Sequence, residues 1–117
     1  MSNFTIYHNP RCSKSRQTLA ILKENNIQTK IVLYLENTLS KQQLKVMLQQ
    51  LNKTPRDILR KSENAYKDRG LADKTLSDEN LLEAMIAEPK LIERPIIVSG
   101  TKAVLGRPPE NVLELII

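Results

Sequence analysis

The sequence predicts an α/β protein: a small four-stranded mixed sheet interrupted by an all-helical insertion. Three observations point there. Strand, helix and strand signals follow one another at the start, only helical patterns occupy the middle, and a hairpin signal precedes a last helix. The 117 residues suit one domain over 1–117, with the insertion at about residues 40–89.

Phe4, Ile6 and Tyr7 form a short strand-like run that ends at Asn9-Pro10. From Ser13 to about Asn25 the residues favour helix, with Leu19, Ile21 and Leu22 apolar and Asn25-Asn26 as the stop. "KIVLYL", Lys30 to Leu35, is β-branched and apolar, which predicts a buried strand. A strand-helix-strand unit closes as a right-handed crossover between parallel strands.

Ser40 caps the next helix, and Gln43 three residues on completes a capping box. Leu44, Met47, Leu48 and Leu51 then recur at helical spacing. Thr54-Pro55 reads as an N-cap and first-turn proline opening a short helix through Leu59. Ser77 caps a further helix with Leu81, Leu82, Met85 and Ile86, stopped before Pro89. "PIIVSGTKAVLG" gives two apolar runs about Ser99-Gly100-Thr101, a hairpin signal. Pro108-Pro109 opens the last helix, with Val112, Leu113 and Ile116 on its apolar side. A β-α-β start, a helical middle and a β-β-α end form the pattern of a thioredoxin-like (glutaredoxin-like) fold.

The composition narrows the function. Hydrophobic residues make up 40% and charged residues 26%, which allows an ordinary core. No run approaches the ~20 apolar residues that cross a bilayer, so no membrane role is expected. The start "MSNFTIYHNPR" lacks a basic stretch followed by an apolar signal region, which leads us to expect a cytoplasmic location. The net charge of +5 suits an anionic partner. With aromatics at 3%, scattered cations and no nucleic-acid motif, a small oxyanion fits better than nucleic acid. A single cysteine excludes an internal disulfide and no Cys/His cluster has metal spacing, so no metal or bound cofactor is expected.

That cysteine, Cys12, falls between the first strand and the start of the first helix. Unpaired backbone N–H groups and the helix dipole favour negative charge there. Arg11, Lys14 and Arg16 add positive potential. A free cysteine is more often a small buried hydrophobe, but a proline turn, Ser13, Ser15 and three cations are poor company for a core residue. The position therefore favours a reactive thiolate. "CSKS" has the spacing of C-x-x-C with Ser15 in the second place, so Cys12 can form only mixed disulfides with outside thiols. His8, the lone histidine, is a neutral partner for Ser15 or the thiolate, or else a structural residue at a strand end.

"YHNPRCSKSR" resembles the H-N-P-x-C-x-x-S-R signature of the glutaredoxin-linked arsenate reductases, the ArsC family, and the match continues through "VLYLENT", "DILRK", "ERPIIV" and "GRPPE". The resemblance implies that Cys12 is the nucleophile and that Arg60, Arg94 and Arg107 bind an oxyanion. It gives His8, Ser15, Arg16 and Pro95 supporting places, with Pro95 at the cis-proline position beside the cysteine. Without it, Arg60 would be read as a solvated residue of a basic helix end, and Arg94 and Arg107 as exposed residues before prolines. A doubly charged oxyanion favours planar, bidentate donors, which arginine supplies better than lysine. The resemblance further implies arsenate as substrate, glutathione as co-substrate, glutaredoxin as protein partner and a monomer. Arsenate reductases of the family often read C-G-T-S where this chain has Cys12-Ser13-Lys14-Ser15. Two other readings share the motif: a glutathione-dependent monothiol oxidoreductase without arsenic chemistry, and a non-catalytic Spx-like regulator, whose C-x-x-C switch Ser15 breaks.

Overall fold

The computed structural model describes residues 4–37 and 39–116. These group into two compact units, one drawn from residues 1–37 and 94–117 and the other from residues 38–93.

The first unit holds the sheet. Strand β1 (Phe4–Tyr7) leads through helix α1 (Ser13–Glu24) to β2 (Thr29–Val32); β3 (Ile96–Ser99) and β4 (Lys102–Leu105) follow the insertion. The strand order is β2-β1-β3-β4. β1 and β2 are parallel, with Ile6 opposite Ile31, and β1 runs antiparallel to β3, with Ile6 opposite Ile97. β3 and β4 form the expected hairpin, with Ser99 paired to Lys102 and Gly100 at φ 62°, a left-handed turn position that glycine adopts without steric cost. Phe4, Ile6, Leu22, Ile97 and Val112 form the core of this unit, with Leu19, Ile21, Ile27, Val104, Leu115 and Ile116 packed around them. The arrangement is the thioredoxin-like mixed sheet that the element order predicts.

Two expectations change. "KIVLYL" is not a buried strand through Leu35. β2 ends at Val32 because the Leu33 carbonyl accepts from the N–H groups of Glu36 and Asn37, turning the chain. It is also an edge strand, paired only with β1, which leaves Ile31 45% exposed. At the other end, the segment after Pro108 begins as a 3₁₀ turn, Pro109–Val112, before helix α5 (Leu113–Ile116). The tighter winding shifts the apolar face: Val112 is fully buried, Leu113 is exposed, and Leu115 joins Ile116 against the core.

The second unit is helical. α2 (Lys41–Leu51) starts from the predicted capping box, with Gln43 N–H donating to Ser40 Oγ at 3.1 Å and Ser40 N–H to Gln43 Oε1 at 2.8 Å. A 3₁₀ turn (Pro55–Ile58), the short α3 (Asn64–Asp68), α4 (Asp78–Ala87) and a second 3₁₀ turn (Pro89–Leu91) follow. α3 lies in "RKSENAYKDR", a stretch too polar to show helical periodicity. Leu44, Met47 and Leu51 of α2 and Leu81, Leu82 and Met85 of α4 are buried as these helices pack together. An antiparallel bridge pairs Leu59 with Ile92.

One glycine packs too tightly to be replaced. A Cβ on Gly106, just after β4, would lie 2.7 Å from Thr18 Oγ1 of α1 and 2.8 Å from Cγ of Pro95. Thr18 cannot move away freely, because its hydroxyl donates to the Lys14 carbonyl at 2.8 Å and its side chain is fully buried. Gly106→Ala should therefore cost about 1–3 kcal/mol, the usual range for overpacking. Urea unfolding measures it, and an unchanged midpoint would contradict the packing.

Candidate active site

The turn between β1 and α1 builds the site. His8 and Asn9 are both buried, and His8 N–H extends the parallel pairing by donating to the Val32 carbonyl at 2.8 Å. Asn9 then folds the chain back: its Oδ1 accepts from Arg11 N–H at 3.0 Å and its carbonyl from Cys12 N–H at 3.0 Å. Cys12 consequently occupies the N-cap of α1 with extended backbone, φ −92° and ψ 122°, and its carbonyl takes the first helical hydrogen bond from Arg16.

Ser15, one turn into α1, locks this turn from inside. It is fully buried, and its Oγ accepts from Asn9 N–H at 3.1 Å while lying 2.6 Å from Nδ1 of His8. Burial first, then the charges of Lys23 and Arg16, lower the pKa of His8, so the ring is neutral at pH 7. A hydroxyl that accepts from Asn9 and donates to a bare Nδ1 satisfies all three groups. Arg16 braces the outside of the same turn by donating to the Pro10 carbonyl at 3.0 Å.

Two arginines reach the sulfur. Arg107 Nη1 stands 3.9 Å from Cys12 Sγ and donates to the Arg94 carbonyl at 3.0 Å. Each precedes a cis-proline, at Arg94-Pro95 and Arg107-Pro108. Burial pushes the Cys12 thiol up, but the backbone N–H of Ser15, the guanidinium of Arg94 and the backbone N–H of Lys14 together outweigh it and hold the pKa below the ordinary 9.0. Cys12 remains partly exposed, as attack on an outside molecule requires.

Of the residues singled out from the sequence, Cys12, Arg94 and Arg107 come together, His8 and Ser15 form a pair behind them, Pro95 lies at the foot of β3 and Arg16 faces the turn. Arg60 belongs to the helical unit. There it is not the solvated helix-end residue that composition suggests: its side chain is 15% exposed and lies 3.4 Å from both Glu63 and Glu93. Its backbone N–H donates to the Leu91 carbonyl at 2.7 Å, which ties it to the Leu59–Ile92 bridge. Sequence reasoning gave no part in the site to Tyr34 or Asn111, and used Asn9 only as the end of the first strand. Asn before Pro does signal the Asx turn at Asn9. Tyr34 is buried and, with Cys12, helps hold Arg94 charged against the cost of burial; nothing in "KIVLYL" distinguishes it from a core residue. Among the described residues, no group of three or more His, Cys, Asp or Glu is placed to hold a metal ion, and no helix is long and apolar enough to cross a membrane.

A thioredoxin-like sheet carries one cysteine at the N-terminus of its first helix, flanked by arginines at two proline corners. The sequence profile described as the ArsC family matches residues 7–115, and the chain belongs to that family. It is 51% identical over 112 residues to the Escherichia coli (strain K12) protein named "Uncharacterized protein YfgD", covering 95% of this chain and 94% of that one. It is 44% identical over 112 residues to the arsenate reductase of Haemophilus influenzae, covering 95% and 97%. The solved structure of an arsenate reductase from Vibrio cholerae superposes with a TM-score of 0.92 at 49% identity, covering 95% of each chain.

Two outcomes follow from this geometry. Because N–H donors and a guanidinium favour the thiolate, alkylation of Cys12 should reach half its maximal rate at a pH below 9.0, and Arg94→Ala should move that midpoint upward. A midpoint that stays put in the variant would remove Arg94 from the thiolate's support. Ser15→Ala strands the Asn9 N–H and His8 Nδ1 in a buried turn and should cost roughly 1–3 kcal/mol in urea unfolding.

Proposed function

We propose that this chain reduces arsenate to arsenite through Cys12, with glutathione and glutaredoxin as the outside thiols. The observation that carries the reading is a partly exposed cysteine with a favoured thiolate, facing Arg94 and Arg107, in a chain 44% identical to an arsenate reductase.

Arg94 and Arg107, beside the sulfur, bind the arsenate dianion and offset its charge. The Cys12 thiolate attacks arsenic, an S–As bond forms, and an oxygen leaves as water after taking up protons. A glutathione thiolate then forms an S–S bond with Cys12. The electron pair of the S–As bond stays on arsenic, which falls from pentavalent to trivalent and departs as arsenite. Glutaredoxin takes the glutathione from Cys12 by thiol–disulfide exchange and restores the thiolate. With Ser15 in the second position of the motif, the resolving thiol comes from outside. Arg60, to which the resemblance gives an oxyanion-binding role, is engaged by Glu63 and Glu93, with which any oxyanion would have to compete.

Arsenate-dependent oxidation of glutathione, coupled through glutaredoxin, tests the reading. Cys12→Ser should abolish turnover, and Arg107→Ala should lower kcat/KM about 10- to 100-fold, the size of one lost hydrogen bond to a charged group. Full arsenate reduction by Cys12→Ser would sink the assignment. Glutathione exchange at Cys12 that ignores both arsenate and loss of Arg107 would move the function to monothiol exchange.

A further inference from the structure

Arg107 approaches the Cys12 sulfur from the end of an edge strand, followed by two prolines that supply no N–H groups. The guanidinium is held at its far end by the Arg94 carbonyl, to which Nη1 donates at 3.0 Å, and the backbone it springs from is held as well. On one side Gly106 is wedged against Thr18 and Pro95, and its N–H donates to the Pro95 carbonyl at 2.9 Å. On the other side stands Asn111. Its Nδ2 donates to the Leu105 carbonyl at 3.1 Å and to the Arg107 carbonyl at 3.2 Å, so one amide group spans the Gly106-Arg107 step. Asn111 is itself held, since its backbone N–H donates to the Pro108 carbonyl at 3.0 Å and the next residue, Val112, is fully buried in the core.

We propose that Asn111 is the positioning residue for Arg107: its amide clamps the Leu105 and Arg107 carbonyls and thereby sets the aim of the guanidinium at the Cys12 sulfur and at an oxyanion bound there. The inference rests on the reading that Arg107 binds the oxyanion. The chemistry is specific to a primary amide. Two N–H bonds on one nitrogen serve two carbonyls; a carboxylate of the same shape would set acceptors against acceptors, a hydroxyl has one proton, and a methyl has none.

The test is a double-mutant cycle on the full chain, read as the arsenate concentration that half-protects Cys12 from iodoacetamide. Asn111→Ala should raise that concentration roughly 3- to 10-fold, the size of a lost neutral hydrogen bond, and should change nothing further when added to Arg107→Ala. A residue that only stabilises the fold would instead give an additive effect. Asn111→Ser, which keeps one donor, replaces the alanine variant in the cycle if that variant does not fold. Wild-type protection in Asn111→Ala, or full additivity with Arg107→Ala, overturns the inference. If Arg107→Ala weakens protection while Asn111→Ala does not, only this inference fails; if Arg107→Ala has no effect, the functional reading fails with it.

Discussion

The site depends first on a buried hydroxyl. Ser15 Oγ meets the Asn9 N–H and the His8 ring, two polar groups that the chain must bury as it turns from β1 into α1. Leaving either unpaired would cost as much as several good surface contacts return. With both satisfied, the turn has one conformation, and that conformation puts Cys12 at the N-cap, where the helix presents free N–H groups. The reactivity of the sulfur therefore begins with Ser15 twice over: its hydroxyl fixes the turn, and its backbone N–H supports the thiolate. The same serine stands where a two-cysteine motif keeps its second thiol, so the structural lock and the absence of an internal disulfide are one feature.

The second constraint is close approach at the far side. Arg94 enters and Arg107 leaves the β3–β4 hairpin at its open end, where Ile96 pairs with Leu105, and the Arg107 guanidinium joins them by donating to the Arg94 carbonyl. Gly106 allows this, because its missing side chain lets the end of β4 lie against Thr18 of α1 and Pro95. Helix, hairpin and proline corner thus meet where the thiolate is stabilised. A change in packing at that junction is felt as a change in electrostatics.

Much of the fold was legible because its signals are local. The capping box of Ser40 and Gln43, the Ser99-Gly100-Thr101 turn and the heptad-like run of α2 each depend on residues a few positions apart. β2 was misjudged because its exposure is set by strand order: the same β-branched run would be buried at the centre of this sheet, and Ile31 is exposed because β2 lies at the edge. The phase of the last helix was missed because a 3₁₀ start rotates the face by a fraction of a turn. In the site, Cys12 could be picked out by its neighbours, whereas Arg94 and Arg107 look like ordinary residues before prolines until the hairpin folds. Their roles were suggested by resemblance alone. Asn111 gave no signal at all, because an amide that serves two carbonyls six and four residues earlier has no pattern in composition or periodicity.

The electrostatic balance at Cys12 also explains why the site stays partly open. Full burial would strengthen every donor aimed at the sulfur, but it would raise the cost of the charged form faster, and burial is already the largest influence on this thiol. Full exposure would remove that cost and weaken the donors by screening. A partly exposed sulfur, with helix N–H groups on one side and guanidinium groups on another, has its pKa lowered while keeping an accessible face. With one cysteine in the sequence, any disulfide Cys12 forms must be with another molecule, and that open face is where such a molecule would reach it.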